Sequence, residues 1–323
     1  MGRTRKKICN MHSISLKKTK KIIPLNPTFN IANFHYTVPV KDDLAIGIVF
    51  FNSTKSKRLL MNYLYNIEKL KLANIPVYTL EMFIDTPEIK DAFHYKTEFI
   101  LFQKERLCYL LEKHIPKKYT KILFMDSDIL FENNNWYNEL SKKLDSFNIV
   151  QPFSNALWLD VTYTKIVKKR IPFVFYKTFG KLNLKGGIGG YHPGFAWGFQ
   201  RDWYKKIGFF EYAILGDGDT ISSTTILKYP FSPEPYLQDS LQEYKNKIKK
   251  PPSTCFLQGT VYHLWHGDSK KRQYIKRRQI FSSIKDIRDV ITIDSNGLFA
   301  LKDDPELKRK IKRYFQNRDD DGI

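Results

Sequence analysis

Two aspartates, Asp126 and Asp128, interrupt the run Lys121–Phe131 (KILFMDSDILF), which is otherwise almost wholly apolar. Alternate side chains of an extended backbone project to one side, so this spacing lets both carboxylates converge on one point. Two buried like charges repel, and they persist only where a cation or a proton intervenes. A divalent metal meets that need, since hard cations take one or two carboxylates and complete their shell with substrate phosphates. The pair therefore implies Mn2+ (or Mg2+) and a phosphate-bearing substrate. The plainer use of the same residues is a turn cap at Asp126 with Asp128 facing solvent, because Asp-x-Asp strings are common by chance.

A second group is Val261–Asp268 (VYHLWHGD). On a strand, positions 263 and 266 face opposite sides, so His263 and His266 are not expected to share a ligand. His266, beside Gly267 at the strand end, is the candidate for the metal. Lys270, Lys271, Arg272, Tyr274, Arg277 and Arg278 follow. Such a run is either a solvated helix face or the cationic wall that a departing diphosphate needs. A third group, Gly216-Asp217-Gly218-Asp219, precedes a helix. Its carboxylates either cap that helix or accept a proton from an attacking hydroxyl. Tyr191, His192, Phe195, Trp197 and Trp203 lie upstream, where aromatic faces suit sugar rings and an ordinary core equally.

These residues need elements to hold them. Leu44–Phe51 reads as a buried first strand, followed by a turn at Asn52-Ser53-Thr54 and a helix with Leu60, Tyr63, Leu64, Ile67 and Leu70 inward. Val77–Ile84 is a second strand, Gln103–His114 a second helix and Ile122–Met125 a third strand. Alternating strands and helices predict an α/β fold, a Rossmann-like, mostly parallel sheet whose ligands gather at the carboxyl ends of the strands. The aspartates stand at such an end. A helix on Trp136, Leu140 and Leu144 follows, then a short strand at Asn148–Phe153. Thr164–His192 is basic and ends in glycines 186–190, which reads as a loop. Phe195–Gln200 and Val261–Trp265 read as strands, and Arg201–Ile207, Asp219–Leu227 and Pro305–Phe315 as helices. No internal repeat is present.

The 323 residues suffice for one large domain, and 42% apolar with 15% aromatic content excludes a disordered chain. A net charge of +21 implies attraction to something anionic. Much of the excess lies in Met1–Lys21, a basic arm without the apolar centre of a signal peptide. No apolar run reaches the roughly 20 residues of a bilayer span. The three cysteines are too few and too far apart for a disulfide scaffold or a structural zinc site. A cytoplasmic, non-secreted protein is expected. Residues 1–41 are assigned to the arm and linker, 42–285 to one catalytic domain with halves at 42–153 and 154–285, and 286–323 to a helical extension packed on it.

Taken in order, Asp126-Ser127-Asp128-Ile129-Leu130-Phe131, Trp136, Gln151-Pro152-Phe153, Gly218-Asp219 and His263-Leu264-Trp265-His266-Gly267 with Arg272, Tyr274 and Arg277 resemble a known set. They are similar to the metal-dependent nucleotide-sugar glycosyltransferases of the A-type (GT-A) fold, in particular viral and bacterial members, over residues 43 to 280. The resemblance implies a UDP-sugar or related donor, a glycan or protein-linked sugar acceptor, and an inverting transfer. It implies donor binding by Phe51, Asn52, Ser53, Arg58, Glu81, Asp126, Ser127, Lys271 and Arg272. Metal ligation falls to Asp126, Asp128 and His266, proton abstraction to Asp219 with Asp217 as substitute, and acceptor contact to Gln151, Trp197 and His192. A specific nucleic-acid partner is not expected. The competing classes are a sugar-nucleotide nucleotidyltransferase, which ordinarily carries a Gly-rich basic loop after the first strand, and a non-catalytic carbohydrate- or nucleic-acid-binding protein.

Overall fold

The computed structural model describes residues 22–99, 101–180, 190–267, 279–317 and 321. In the first half the chain runs through β1 (Ile23–Pro24), β2 (Leu44–Phe50), α1 (Lys57–Leu72), β3 (Val77–Phe83), β4 (Phe93–Lys96), α2 (Lys104–His114), β5 (Lys121–Met125), β6 (Ile129–Phe131), α3 (Trp136–Leu144) and β7 (Ile149–Gln151). It continues with β8 (Asn155–Leu159), β9 (Lys165–Pro172), α4 (Phe175–Phe179), β10 (Tyr191–His192), β11 (Ala196–Gln200), α5 (Arg201–Ile207) and α6 (Gly218–Ile226). α7 (Gln238–Lys247), β12 (Thr254–Phe256), β13 (Thr260–His263), β14 (Ile291–Ile293), β15 (Phe299–Leu301) and α8 (Pro305–Gln316) complete it.

The central sheet has seven strands in the order β12-β7-β11-β5-β2-β3-β4. β4, β3, β2 and β5 run parallel, β11 is antiparallel to both β5 and β7, and β12 is parallel to β7. β2 and β5 are covered on both faces, which is why their residues are continuous apolar runs without alternation. One core layer forms under α2, with Leu107, Leu110 and Leu111 packed with Ile122, Phe124 and Phe199. The other lies under α1 and α3, where Tyr63, Ile67 and Leu70 meet Ile46, Ile48, Trp136 and Leu140. Leu64, expected to face inward, is 52% exposed, because it lies on the flank of the stripe made by Tyr63, Ile67 and Leu70.

A smaller sheet, β1-β9-β8-β13-β6 with β10 joined to β9, stacks beside the first. The segment expected as a basic loop therefore contains a strand. β9 has Lys165, Val167, Lys168 and Lys169 in water, and its backbone is held by antiparallel pairing to β8 and β1. Glycines 186–189 lie outside the described residues. After residue 285 the chain adds the β14–β15 ribbon and then α8, whose Leu307, Ile311, Tyr314 and Phe315 join the core beneath α2. No helix among the described residues is long and apolar enough to cross a membrane.

Candidate active site at the junction of two sheets

β5 belongs to the large sheet and β6 to the small one, and residues 126–128 are the turn that carries the chain between them. Asp126 prolongs the first ladder, its N–H donating to the Phe195 carbonyl at 2.7 Å. Asp128 begins the second, its carbonyl accepting from Leu264 N–H at 2.8 Å. The expectation that both carboxylates lie on one side of an extended backbone is thus corrected. The turn breaks the alternation of side chains, and each aspartate faces a different cluster.

Asp128 faces His263 and His266. His266 Nε2 lies 2.8 Å and His263 Nε2 3.4 Å from Asp128 Oδ2, and all three residues are at most 7% exposed. One ligand atom from each lies within 4.8 Å of the others. The parity argument that kept the two histidines apart fails because β13 ends at His263. The next three residues stand outside the strand, with Asn62 Nδ2 donating to the Trp265 carbonyl at 3.1 Å, and His266 returns to the same point. Asp128 Oδ1 is buried with no hydrogen-bond partner. Burial alone would raise the Asp128 carboxyl, but the two imidazoles hold it well below the usual carboxylate range. An ionised oxygen without a donor beside two imidazole nitrogens is a donor set that fits a divalent cation. Two nitrogens and one oxygen favour Mn2+ over Mg2+, which prefers an all-oxygen shell.

Asp126 faces the other way. It forms an ion pair with Lys104, the first residue of α2. Asp219, in the first turn of α6, approaches the same lysine, and Glu105 completes the group. Burial opposes the charge on Lys104, while Asp126, Asp219 and Glu105 more than offset that and hold the ammonium above its ordinary range. Asp219 accepts from Thr220 N–H at 2.7 Å. Burial raises its carboxyl, Lys104 opposes the rise, and Asp217 and Asp126 add to it. Asp217 itself precedes α6 with a left-handed φ of 78°. A small cavity here is lined by Lys104, Glu105, Gly194, Phe195, Trp197 and Asp219, among others.

The segment before β11 forms the wall between the clusters. A Cβ at 194 would approach Asp219 Oδ2 to 2.6 Å, so any other residue there would displace the Asp219 carboxylate. The next residue, Phe195, has φ of 72° and stacks on His263 with ring centroids 5.2 Å apart. A left-handed, non-glycine residue between two functional clusters is strain of the kind that surrounding contacts impose. His192 packs 3.9 Å from the Phe195 ring and 4.8 Å from Trp158, and its Nε2 has no hydrogen-bond partner. Burial first, then Lys168 and His263, hold that imidazole well below its ordinary value, so it is neutral.

The remaining expected residues divide. Arg58 lies beside the segment between the two histidines, its guanidinium 5.4 Å from the centre of the Trp265 ring. Asn52 is buried and closes its own loop, donating to Ser56 O at 3.0 Å and accepting from Ser56 N at 2.8 Å. Phe51 meets Phe315 edge-on, and Ser53 is half-buried in the turn between β2 and α1. Glu81 is occupied structurally, accepting from the N–H groups of Glu88 and Ile89 at 2.7 and 2.9 Å. Ser127 contributes its carbonyl to Asn66. Gln151 is fully buried, with Val174 N–H donating to its Oε1 at 3.0 Å and its Nε2 donating to His192 O at 3.4 Å. Trp197 is buried and donates to Pro193 O at 2.7 Å. Lys271 and Arg272 lie outside the described residues. Sequence reasoning misses Lys104 and Glu105, which look like an ordinary helix start, and it sets His263 aside. The signal available is position, since α2 begins beyond the carboxyl end of β4, the strand before it.

No protein-family model matches the chain, and no curated protein matches it by sequence. Among solved structures it is similar to a Drosophila β1,4-galactosyltransferase 7 variant in complex with manganese, UDP-Gal and xylobiose. That likeness has 11% identity and a TM-score of 0.38 over 85% of this chain and 98% of the other. Glucosyl-3-phosphoglycerate synthase from Mycobacterium tuberculosis, in complex with Mn2+, UDP and phosphoglyceric acid, is similar at 9% identity and a TM-score of 0.36, over 79% and 76% of the two chains. A putative glucose-1-phosphate thymidylyltransferase from Bacillus anthracis is similar at 12% identity and a TM-score of 0.32, over 78% and 98%.

Proposed function

We propose that this chain is a GT-A-type glycosyltransferase that moves a sugar from a nucleotide-diphosphate sugar, of which a UDP-sugar is favoured, to an acceptor hydroxyl of a glycan or protein-linked sugar. The observation that carries the reading is the buried Asp128–His263–His266 cluster at the carboxyl end of β5, with the Lys104–Asp126–Asp219 group on the other side of the same turn. Asp128, His263 and His266 would hold a divalent cation, which when bound would supply charge neutralisation for the diphosphate. The chain's own groups account for the rest. Asp219 is the carboxylate positioned to take the acceptor's proton as the new bond forms, which corresponds to an inverting displacement. Lys104 holds Asp126 at the edge of the pocket, and neutral His192 with the Trp158 and Trp197 rings offers apolar faces to sugars. Arg58 over Trp265 brings a cation to the donor side.

A thermal-shift screen of nucleotide sugars, each with and without manganese, tests this directly. A true donor at 100 times its dissociation constant stabilises the chain by about 2.7 kcal/mol. A screen in which manganese alone, and every sugar nucleotide with it, leaves melting unchanged refutes the proposal.

A further inference from the structure

Glu105 is the buried titratable group that the proposed transfer leaves unused. It stands in the first turn of α2, only 4% exposed, and its Oε2 is buried with no hydrogen-bond partner. Its carboxyl group fills the space that residue 218 leaves. A Cβ at Gly218 would come within 2.1 Å of Glu105 Cδ and 2.2 Å of Oε2, so the glycine at the start of α6 is required for Glu105 to be where it is. Lys104, Glu105 and Asp219 line one cavity.

Counting charges shows what this placement demands. Lys104 is the ammonium among three carboxyl groups, and it is already paired with Asp126. Asp219 has the N–H of Thr220 and the start of α6 to support a negative charge. Glu105 likewise stands at a helix start and has its own backbone N–H, but its buried Oε2 has no donor. An ionised Glu105 would leave charge on a buried oxygen without a partner, which costs far more than keeping a proton on the group. The groups that face it are Lys104 and Cys108 from α2, Asp126 after β5, Asp219 at α6 with Asp217 acting on Asp219, and Tyr244 on α7. Among these described residues the acids outnumber the cation.

We propose that Glu105 is a positioning residue that holds a proton beneath the start of α6, leaving Lys104 to Asp126 and leaving Asp219 as the pocket's proton acceptor. The role given to Asp219 rests on the glycosyltransferase reading; the proton on Glu105 does not. Burial pushes the Glu105 carboxyl up to about 8, with Lys104 opposing and Asp219 and Asp126 adding. A raised folded-state value means that Glu105 contributes stability fully below its unfolded value of about 4.3. That contribution is lost as pH rises to about 8.

The test compares the full chain with Glu105→Gln, an uncharged residue of the same shape. Melting temperatures are measured from pH 5 to 9 without added ligand. The wild-type chain should lose stability relative to the variant steadily up to pH 8, with the difference constant beyond it. Parallel curves overturn the proposal. Should Glu105→Gln fail to fold, the 13C carboxyl resonance of glutamate-labelled wild type decides instead: one carboxyl titrating near pH 8 supports it, and all titrating below 5.5 overturn it. Turnover with the donor found in the nucleotide-sugar screen then tests positioning. An alkaline fall in kcat seen in wild type and absent from Glu105→Gln, whatever the height of the variant's plateau, supports it, and an identical pH profile overturns it. If no nucleotide sugar is turned over by wild type, the reading of the site fails, and melting or resonance data decide the proton alone.

Discussion

On one side of the 126–128 turn a single carboxylate, Asp128, meets two imidazoles; on the other, Asp126, Asp219 and Glu105 meet one ammonium, Lys104. Both clusters are too acidic or too dry to exist without a counter-charge, and they meet that requirement differently. Asp128 has nitrogen donors around it and an oxygen with nothing attached, the arrangement a cation completes. Among the described residues no imidazole is paired with the Lys104 cluster, and on our proposal its excess negative charge is removed by a proton. The first region should therefore respond to metal and the second to pH, and experiments that exchange those responses would break the comparison.

Largest among the expected effects is that of Asp219→Ala. General-base assistance is worth roughly 10²–10⁴-fold, so kcat should fall by about that factor while calorimetry shows nucleotide-sugar binding nearly unchanged. Because burial, Asp217 and Asp126 raise the Asp219 carboxyl, wild-type turnover should still be climbing with pH above the ordinary carboxylate range. Undiminished turnover in Asp219→Ala would remove it from the mechanism.

Next comes the Asp128–His263–His266 cluster. In Asp128→Ala the stabilisation of about 2.7 kcal/mol expected from a ligand at 100 times its dissociation constant should disappear for manganese. His263→Ala and His266→Ala should each weaken it, whereas Glu105→Gln should leave it intact. If Asp128→Ala melts with the same manganese dependence as wild type, the ion binds elsewhere. Gly218→Ala ranks third. Its methyl group would enter the Glu105 carboxyl, an overpacking that costs about 1–3 kcal/mol, seen as a lower denaturant midpoint at unchanged slope. Adding Glu105→Ala to Gly218→Ala should recover part of the loss, and a wholly additive double variant would show that the two sites do not touch.

Much of the first half of the fold is legible in the residues alone. β2 and β5 are buried parallel strands, and such strands read as continuous apolar runs, while β3 is legible although Thr79 and Glu81 interrupt it. α1, α2 and α3 follow from helical spacing. β9 is not legible, because a strand with lysines toward water looks like a loop and is defined by its ladders with β8, β1 and β10. The site is legible in type and only partly in arrangement. Asp128, His266 and Asp219 stand out by residue type and context, and the structure brings Asp128 and His266 together. His263 is lost by counting along a strand that ends sooner than expected, and Glu105 is hidden because its significance depends on a glycine 113 positions later. Local periodicity cannot register either fact, since both depend on where the chain turns.

The smallest effect divides the two aspartates themselves. Asp126→Asn removes the partner of Lys104 and leaves Asp128, His263 and His266 as they are. Manganese affinity by calorimetry should then change by less than about tenfold, or 1.4 kcal/mol, while Asp128→Asn loses the ion. The two substitutions have identical chemistry two residues apart, so a difference between them can come only from which cluster each carboxylate faces. Lys104 should also answer differently. With Asp126 neutral, its ammonium turns to Glu105 and Asp219, lowering both carboxyls and moving the acid side of the turnover profile downward. Equal loss of manganese in Asp126→Asn and Asp128→Asn would mean that Asp126 leaves Lys104 to join the ion, and that the two clusters are one site.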